Sequence, residues 1–190
     1  MIEFEKNFRA VAASSDFYQI ELNPPASEAS ISELAEGLGF LLPPGGLAQY
    51  LGIADGETPT SGGMFNGERL LSCDGILAAH DWHESELGEL ADSEGHFSNC
   101  PYVLQGRVWR PTWIPIVFGH AQTSLYVDTT PSKNGVLGQV ILSAQIEGGC
   151  GIVASSIGDL FVRAREIPKP ELLMRYPMID PNTGQLIGEN

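Results

Sequence analysis

Four short runs of β-branched, aromatic and other apolar residues follow one another in the second half of the chain. Each is bounded by Gly, Pro, Asn or Ser, and they cover Trp113–Ile116, Ser124–Asp128, Gly138–Leu142 and Gly151–Ala154. Runs this short are typical of strands rather than helices. The turn-rich links at 131–138 and 147–151 fit a meander of antiparallel strands better than the long crossovers of a parallel sheet. The pattern therefore predicts one mostly antiparallel sheet at the centre of the molecule.

Apolar residues at helical spacing predict helices before this sheet. The first helix runs through residue 13, and an alternating, strand-like run follows over 17–22. The sequence from Ser30 to Glu33 has the form of a capping box, which predicts a second helix that Gly37 or Gly39 ends.

Three further helices complete the predicted set. Pro44 suits the first position of a third helix, which Gly56 would stop. A longer helix passes through Ile76 and reaches Leu90, and Ser156 offers the N-cap of a helix that ends before Pro168. The predicted fold class is therefore α+β, with helices packed around a single sheet. We expect residues 1–167 to form one domain and 168–190 a C-terminal extension, with a small hairpin around a Pro-Asn-Thr-Gly turn at 181–184.

Charge is the unusual part of the composition. The 190 residues include 24 acidic and 10 basic ones, for a net charge of −14, and residues 28–94 alone hold 13 acidic residues against Arg69. Because nucleic acid backbones and anionic membranes attract positive surfaces, binding to either is disfavoured. The charge favours a protein partner with a basic surface.

Cysteine usage and the N-terminus predict a reduced, cytoplasmic protein. Cys73, Cys100 and Cys150 are far apart and form no C-x-x-C pair, so neither a disulfide framework nor a zinc knuckle is indicated. The first residues lack an export signal, and no window approaches the ~18 uninterrupted apolar residues of a membrane span.

The stretch from residue 81 to 94 is the strongest candidate for a binding surface. Its charged residues are all acidic: Asp81, Glu84, Glu86, Glu89, Asp92 and Glu94. Such runs are often only the solvated face of a helix. A basic partner would nevertheless relieve their mutual repulsion and would associate faster with them. Trp82 lies within the run and would suit an interface anchor if it is exposed, although a core position suits it equally.

The histidines of the same stretch are weaker candidates for a metal site. His80 and His83 share a helical face, and His96 and Cys100 follow. These residue types bind Zn²⁺, but their spacing matches no recognised zinc motif. Ordinary buried or surface histidines account for them more simply, so we expect no cofactor.

Two enzyme-like motifs have simpler structural interpretations. The sequence Ala154–Gly158 resembles a nucleophile elbow, but in that fold the catalytic histidine follows the serine, and every histidine here precedes Ser156. A helix N-cap accounts for the serine. The run Gly149–Ala154 matches G-x-G-x-x-A, yet Ile152 and Val153 indicate a strand where a nucleotide site needs a helix, which favours a hairpin turn at the glycines.

Eight short motifs follow one another along residues 28–165: Leu42-Pro43-Pro44, Tyr50-Leu51, Asp55-Gly56, Arg69–Ser72, Trp113–Ile116, Tyr126–Asp128, Gly138–Ile141 and Val153–Ser156. Their order resembles that of the SUKH superfamily, which contains fungal cell-wall regulators and bacterial toxin-immunity proteins. The sequence departs from the family pattern at Gly45-Gly46, where an aromatic residue is common, and in the turn at 118–123.

The resemblance implies an α+β fold, structural roles for the matched residues and no enzyme activity. It implies an immunity protein that covers the active surface of a cognate toxin, and a nuclease suits the acidic charge because phosphate-binding surfaces are basic. The expected docking face joins the helix over 73–92 to the loop from Glu57 to Glu68. An intracellular regulatory or scaffold protein is the alternative. A hydrolase or metal-dependent enzyme would require a deep polar pocket at Ser156 or His83.

Overall fold

Four antiparallel strands form the sheet in the order β1-β2-β3-β4, as the sequence predicts. A computed structural model describes residues 2–13, 19–65, 67–88, 100–104, 106–107, 109–119, 123–144, 149–166 and 179–187. The strands are β1 (Trp113–Phe118), β2 (Thr123–Asp128), β3 (Val140–Ala144) and β4 (Gly149–Ala154). Within the described residues the helices are α1 (Ile2–Ala13), α2 (Glu28–Leu38), α3 (Leu47–Leu51), α4 (Cys73–Leu87) and α5 (Ile157–Glu166). The chain has the predicted α+β fold.

The two faces of the sheet support two apolar clusters. Side chains such as Ile114, Val127 and Val140 pack on one face against all five helices. Trp113, Tyr126 and Ile141 lie on the other face with Trp109 and Ile179, so connecting segments cover that side. Along β2, Leu125, Tyr126 and Val127 alternate between the two clusters, whereas at the register shift of β1 the successive residues Ile116 and Val117 both join the first cluster. Burial of both faces explains the near-continuous apolar runs.

Chain segments outside the sheet cover the middle of both edge strands. The Leu71 N–H donates a hydrogen bond to the Ile116 carbonyl of β1 (3.0 Å), and the Ile179 N–H donates to the Ile152 carbonyl of β4 (3.0 Å). An isolated bridge between Ile179 and Leu186 also forms around the Pro-Asn-Thr-Gly turn. Exposed edges promote unwanted strand pairing, which these contacts oppose.

Helix boundaries differ from the prediction where local bonding overrides a motif. The N-cap of α2 is Ser27, whose Oγ accepts a hydrogen bond from the Ser30 N–H (3.0 Å), so the predicted capping box at Ser30 is wrong. Gly39 ends this helix, as predicted. Helix α4 begins after Ser72 and ends at Leu87, and Leu90 lies outside the described residues.

The third helix is shorter than the Pro44-to-Gly56 segment that the sequence predicts. It spans Leu47–Leu51 because Gly46 has a left-handed backbone (φ 119°) and Gly52 caps the other end. A Cβ on Gly46 would lie 2.6 Å from the Phe4 ring of α1. The departure from the family pattern at this glycine therefore accommodates an aromatic ring from another helix.

Two strand predictions need correction. Of the predicted strand over 17–22, residues 17 and 18 lie outside the described part of the chain, and Leu22 forms only an isolated bridge with Glu57. Gly149 and Gly151 belong to β4 and pair with Ala144 and Leu142, so the predicted hairpin turn at these glycines is wrong. Glycine has the same backbone N–H and C=O groups as other residues, so pairing with β3 can extend β4 through both glycines.

Candidate partner-binding surface

Helices α2 and α4 pack side by side, and each exposes several acidic side chains. A Cβ on Gly37 of α2 would lie 2.7 Å from Leu77 Cδ2 of α4, so glycine permits this close approach. The exposed carboxylates of the two helices, here called the acidic face, are Glu28, Glu33, Glu36, Asp74, Asp81, Glu84 and Glu86. Neither helix contains Lys or Arg.

The spacing along α4 explains why these side chains point outward. The buried residues Cys73, Ile76, Ala79, His80 and His83 recur every three or four positions and face the core. Asp74 and Asp81 are seven residues apart, or about two turns, so they share one side of the helix. That side is exposed and lies opposite the buried residues.

The acidic face lacks charge compensation in the described part of the chain. The ion pairs found there are Lys6–Glu3 and Arg9–Glu5 on α1 and Arg163–Asp159 on α5. Glu84 accepts a hydrogen bond from the Trp109 indole N–H (3.1 Å), which orients one carboxylate without neutralising it. The remaining repulsion is the type of local penalty that a cationic partner removes.

The structure separates the predicted binding residues into three groups. Asp81, Trp82, Glu84 and Glu86 are exposed on α4. Glu89, Asp92 and Glu94 lie outside the described residues, as does His96. Glu57 is only 7% exposed, so its position does not suit the predicted contact with a partner.

Glu57 instead organises the loop between α3 and α4. Its carboxylate accepts hydrogen bonds from the backbone N–H groups of Leu70 (2.8 Å) and Met64 (3.0 Å) and from Ser61 Oγ. Burial raises the pKa of Glu57, although these hydrogen bonds and Arg69 oppose the shift. The acidic residue that the sequence assigns to recognition therefore has a structural role.

Trp82 is 43% exposed and lies against Phe118, the last residue of β1, which is 37% exposed. Their ring centroids are 5.2 Å apart and the rings are tilted by 44°. The sequence indicates Trp82 but gives no signal for Phe118, because the β1–α4 contact that brings them together is tertiary. The acidic face thus ends beside a pair of exposed aromatic rings.

The two α4 histidines are fixed by hydrogen bonds rather than arranged for a metal ion. His80 Nε2 donates to the Pro111 carbonyl (2.8 Å). His83 Nδ1 donates to the Ala79 carbonyl (2.5 Å), which leaves Nε2 to accept from Tyr126 Oη (2.8 Å). Burial lowers the pKa of His83. Because both ring nitrogens of His83 have partners, metal binding there would break an existing hydrogen bond.

The remaining candidate motifs have structural roles. Ser156 Oγ accepts a hydrogen bond from the Asp159 N–H (3.1 Å) at the start of α5, as an N-cap does. The segment Gly149–Ala154 is an antiparallel strand, which lacks the strand-to-helix geometry of a dinucleotide site. Asp128 of β2, which belongs to the motif Tyr126–Asp128, is buried. Its carboxylate accepts hydrogen bonds from Gln139 Nε2 (3.0 Å) and the Thr130 N–H (3.0 Å).

Three carboxylates of the acidic face are absent from the predicted docking surface, which joined α4 to the 57–68 loop. They are Glu28, Glu33 and Glu36 of α2. The outward acidic residues of the predicted second helix are the signal that could have indicated them. None of the helices in the described part of the chain combines the length and apolar character needed to span a bilayer.

The model of the SMI1 / KNR4 family (SUKH-1) matches residues 25–163, which is more than half of the chain. The matched segment begins just before α2 and ends within α5, so it contains the whole sheet and the acidic face. No curated protein matches the chain.

Proposed function

Since the chain belongs to the SMI1 / KNR4 family (SUKH-1), we propose that it is a non-enzymatic protein-binding module, and specifically an immunity protein that neutralises a bacterial toxin. The acidic face is the observation that carries this proposal. Seven exposed carboxylates on two packed helices, without Lys or Arg, provide an anionic surface complementary to a basic protein. A nuclease is the favoured class of toxin because its phosphate-binding surface is basic.

The histidine and serine geometry supports a binding role rather than catalysis. Both ring nitrogens of His83 are occupied by hydrogen bonds, and Ser156 caps a helix. Neither is arranged as a nucleophile beside a base, which acyl transfer requires.

Charge reversal on α4 tests the docking face. The variant Asp74→Lys/Asp81→Lys/Glu86→Lys leaves Glu84 and its bond to Trp109 in place. We expect it to weaken binding to the cognate toxin, which is sought first among the products of neighbouring genes, by about tenfold or more and to reduce the salt dependence of the dissociation constant. Co-expression should then no longer protect cells from the toxin.

A matched control changes the net charge by the same amount on α1 and α5, which lie outside the acidic face. Glu3→Lys/Glu5→Lys/Glu166→Lys alters exposed or half-buried carboxylates of α1 and α5, and the exposed ion pairs of Glu3 and Glu5 are expected to contribute little to stability. Equal loss of binding in both variants would show that net charge, not the acidic face, controls association. A regulatory or scaffold protein would instead capture a partner that is harmless when expressed alone.

A further inference from the structure

The three tryptophans differ sharply in exposure. Trp109 and Trp113 are 1% and 0% exposed, whereas Trp82 is 43% exposed on the acidic helix. Apolar side chains scattered singly over a surface need no special explanation. Trp82 is different because its indole lies against another exposed ring, Phe118, and together they form a small aromatic platform.

Buried groups beneath this platform hold it in place. The His83 ring contacts both Trp82 (5.1 Å between centroids) and Phe118 (5.0 Å). His83 is fully buried and is itself fixed at both nitrogens by Ala79 and Tyr126. The platform rests on a fixed ring, so little conformational freedom remains to be lost when a ligand covers it.

A carboxylate beside the platform defines which ligands suit it. Glu86 is exposed and lies one turn beyond Trp82 on the same side of α4, whereas Asp81, the chain neighbour of Trp82, points to another side of the helix and adds only to the wider acidic face. An anionic or purely apolar group at the platform would leave the Glu86 charge unpaired. A planar cation suits both the aromatic rings and the neighbouring negative charge. A guanidinium group stacks on an indole ring while its edge donates hydrogen bonds to a carboxylate. An ammonium group is a more strongly hydrated point charge and lacks the flat stacking surface.

We propose that the Trp82–Phe118 platform is the anchor site for an arginine side chain of the basic partner. The proposal rests on the acidic face being the docking surface and adds the occupant of its aromatic end. The platform supplies the stacking surface, and Glu86 supplies a hydrogen-bond acceptor at its rim. The rest of the acidic face attracts lysine and arginine alike, whereas the platform binds arginine in preference to lysine.

Short arginine-rich and lysine-rich peptides of equal length and charge test this discrimination. Their affinities for the full chain are measured by fluorescence anisotropy of labelled peptide at fixed ionic strength. We expect tighter binding of the arginine peptide to the native protein. Trp82→Ala should weaken that binding about two- to fivefold, the effect of one cation–π contact, while changing the lysine peptide's affinity less. Trp82→Phe should retain most of the preference, and Leu137→Ala, at another exposed apolar residue, should retain all of it.

The two proposals fail differently. Equal affinity for both peptides, or equal weakening of both by Trp82→Ala, overturns the arginine site, as does the absence of binding by either peptide. If the triple reversal on α4 still weakens toxin binding in those cases, the acidic docking face stands without the arginine anchor. If the reversal has no effect on the toxin, the proposed function fails independently of the platform.

Discussion

Replacement of Glu57 by alanine tests whether this residue is structural. Its carboxylate accepts hydrogen bonds from the Met64 and Leu70 N–H groups, which lie 7 and 13 residues away along the chain. Alanine would leave both buried donors without an acceptor, at about 1–3 kcal/mol each. The expected loss in the free energy of unfolding is therefore about 4 kcal/mol, within a range of about 2–6. For a chain of this size that corresponds to a melting temperature lower by about 8–16 °C.

Glutamine at position 57 separates the hydrogen bonds from the charge. Its amide oxygen can accept from Met64 and Leu70 while its amide nitrogen donates to Ser61 Oγ, so Glu57→Gln should cost less than about 1.5 kcal/mol at neutral pH. Glu33→Ala, which removes an exposed carboxylate of the acidic face, should change stability by less than about 0.5 kcal/mol. Urea unfolding followed by tryptophan fluorescence measures all three variants.

The pH dependence provides a second measurement on Glu57. Because burial raises the pKa of Glu57 above its ordinary value of 4.5, the folded protein binds a proton more readily than the unfolded chain. This contribution to stability is complete below pH 4.5 and is lost as the pH rises through the folded-state pKa. Glu57→Gln should therefore gain stability relative to the native protein as the pH rises above 4.5. An alanine variant that melts within 2 °C of the native protein would refute a structural role for Glu57.

The remaining predictions concern buried polar groups, namely the His83 ring and the hydroxyls of two strand serines. Burial lowers the pKa of His83 below its ordinary value of 6.5, so its contribution to stability is complete above pH 6.5 and is lost as the pH falls towards the folded-state pKa. Urea unfolding at pH 7 and pH 5.5 should show a smaller loss for His83→Gln than for the native protein; equal losses would contradict this. The Ser124 and Ser143 hydroxyls are buried and have no hydrogen-bond partner among the described residues. Ser124→Ala and Ser143→Ala should each raise the melting temperature by about 2–4 °C, and a decrease would show that the hydroxyl is satisfied.

Local patterns were sufficient to predict the sheet. The strands begin and end at changes in residue type that are visible in the sequence, such as Thr112 to Trp113 and Ala154 to Ser155. Burial on both faces makes the runs continuous, so a short length and β-branched residues identify them. The predicted strand began at Gly151, and Gly149 was wrongly assigned to the turn before it because glycine favours turns locally, whereas pairing with Ala144 of β3 places Gly149 in the strand.

The candidate surface was only partly predictable because exposure is a tertiary property. Asp81 and Glu86 could be assigned to the outer side of a helix from spacing alone. Glu57 lies in a loop rich in Gly, Ser and Thr, where a charged residue is usually solvated. Its burial depends on the Leu70 backbone. The Trp82–Phe118 contact joins residues 36 positions apart and likewise has no local signal.

The covered edges of the sheet constrain how another polypeptide can bind. Many domains recognise extended peptides by adding them as a further strand, through the free backbone groups of an edge. Here the Ile116 and Ile152 carbonyls already accept hydrogen bonds from Leu71 and Ile179. An incoming strand would have to displace those segments before it could extend the ladder. Recognition by side chains, which reads the composition of a partner rather than the course of its backbone, avoids that displacement. The fold therefore favours partners selected by surface chemistry, and the same arrangement opposes edge-to-edge polymerisation of the protein.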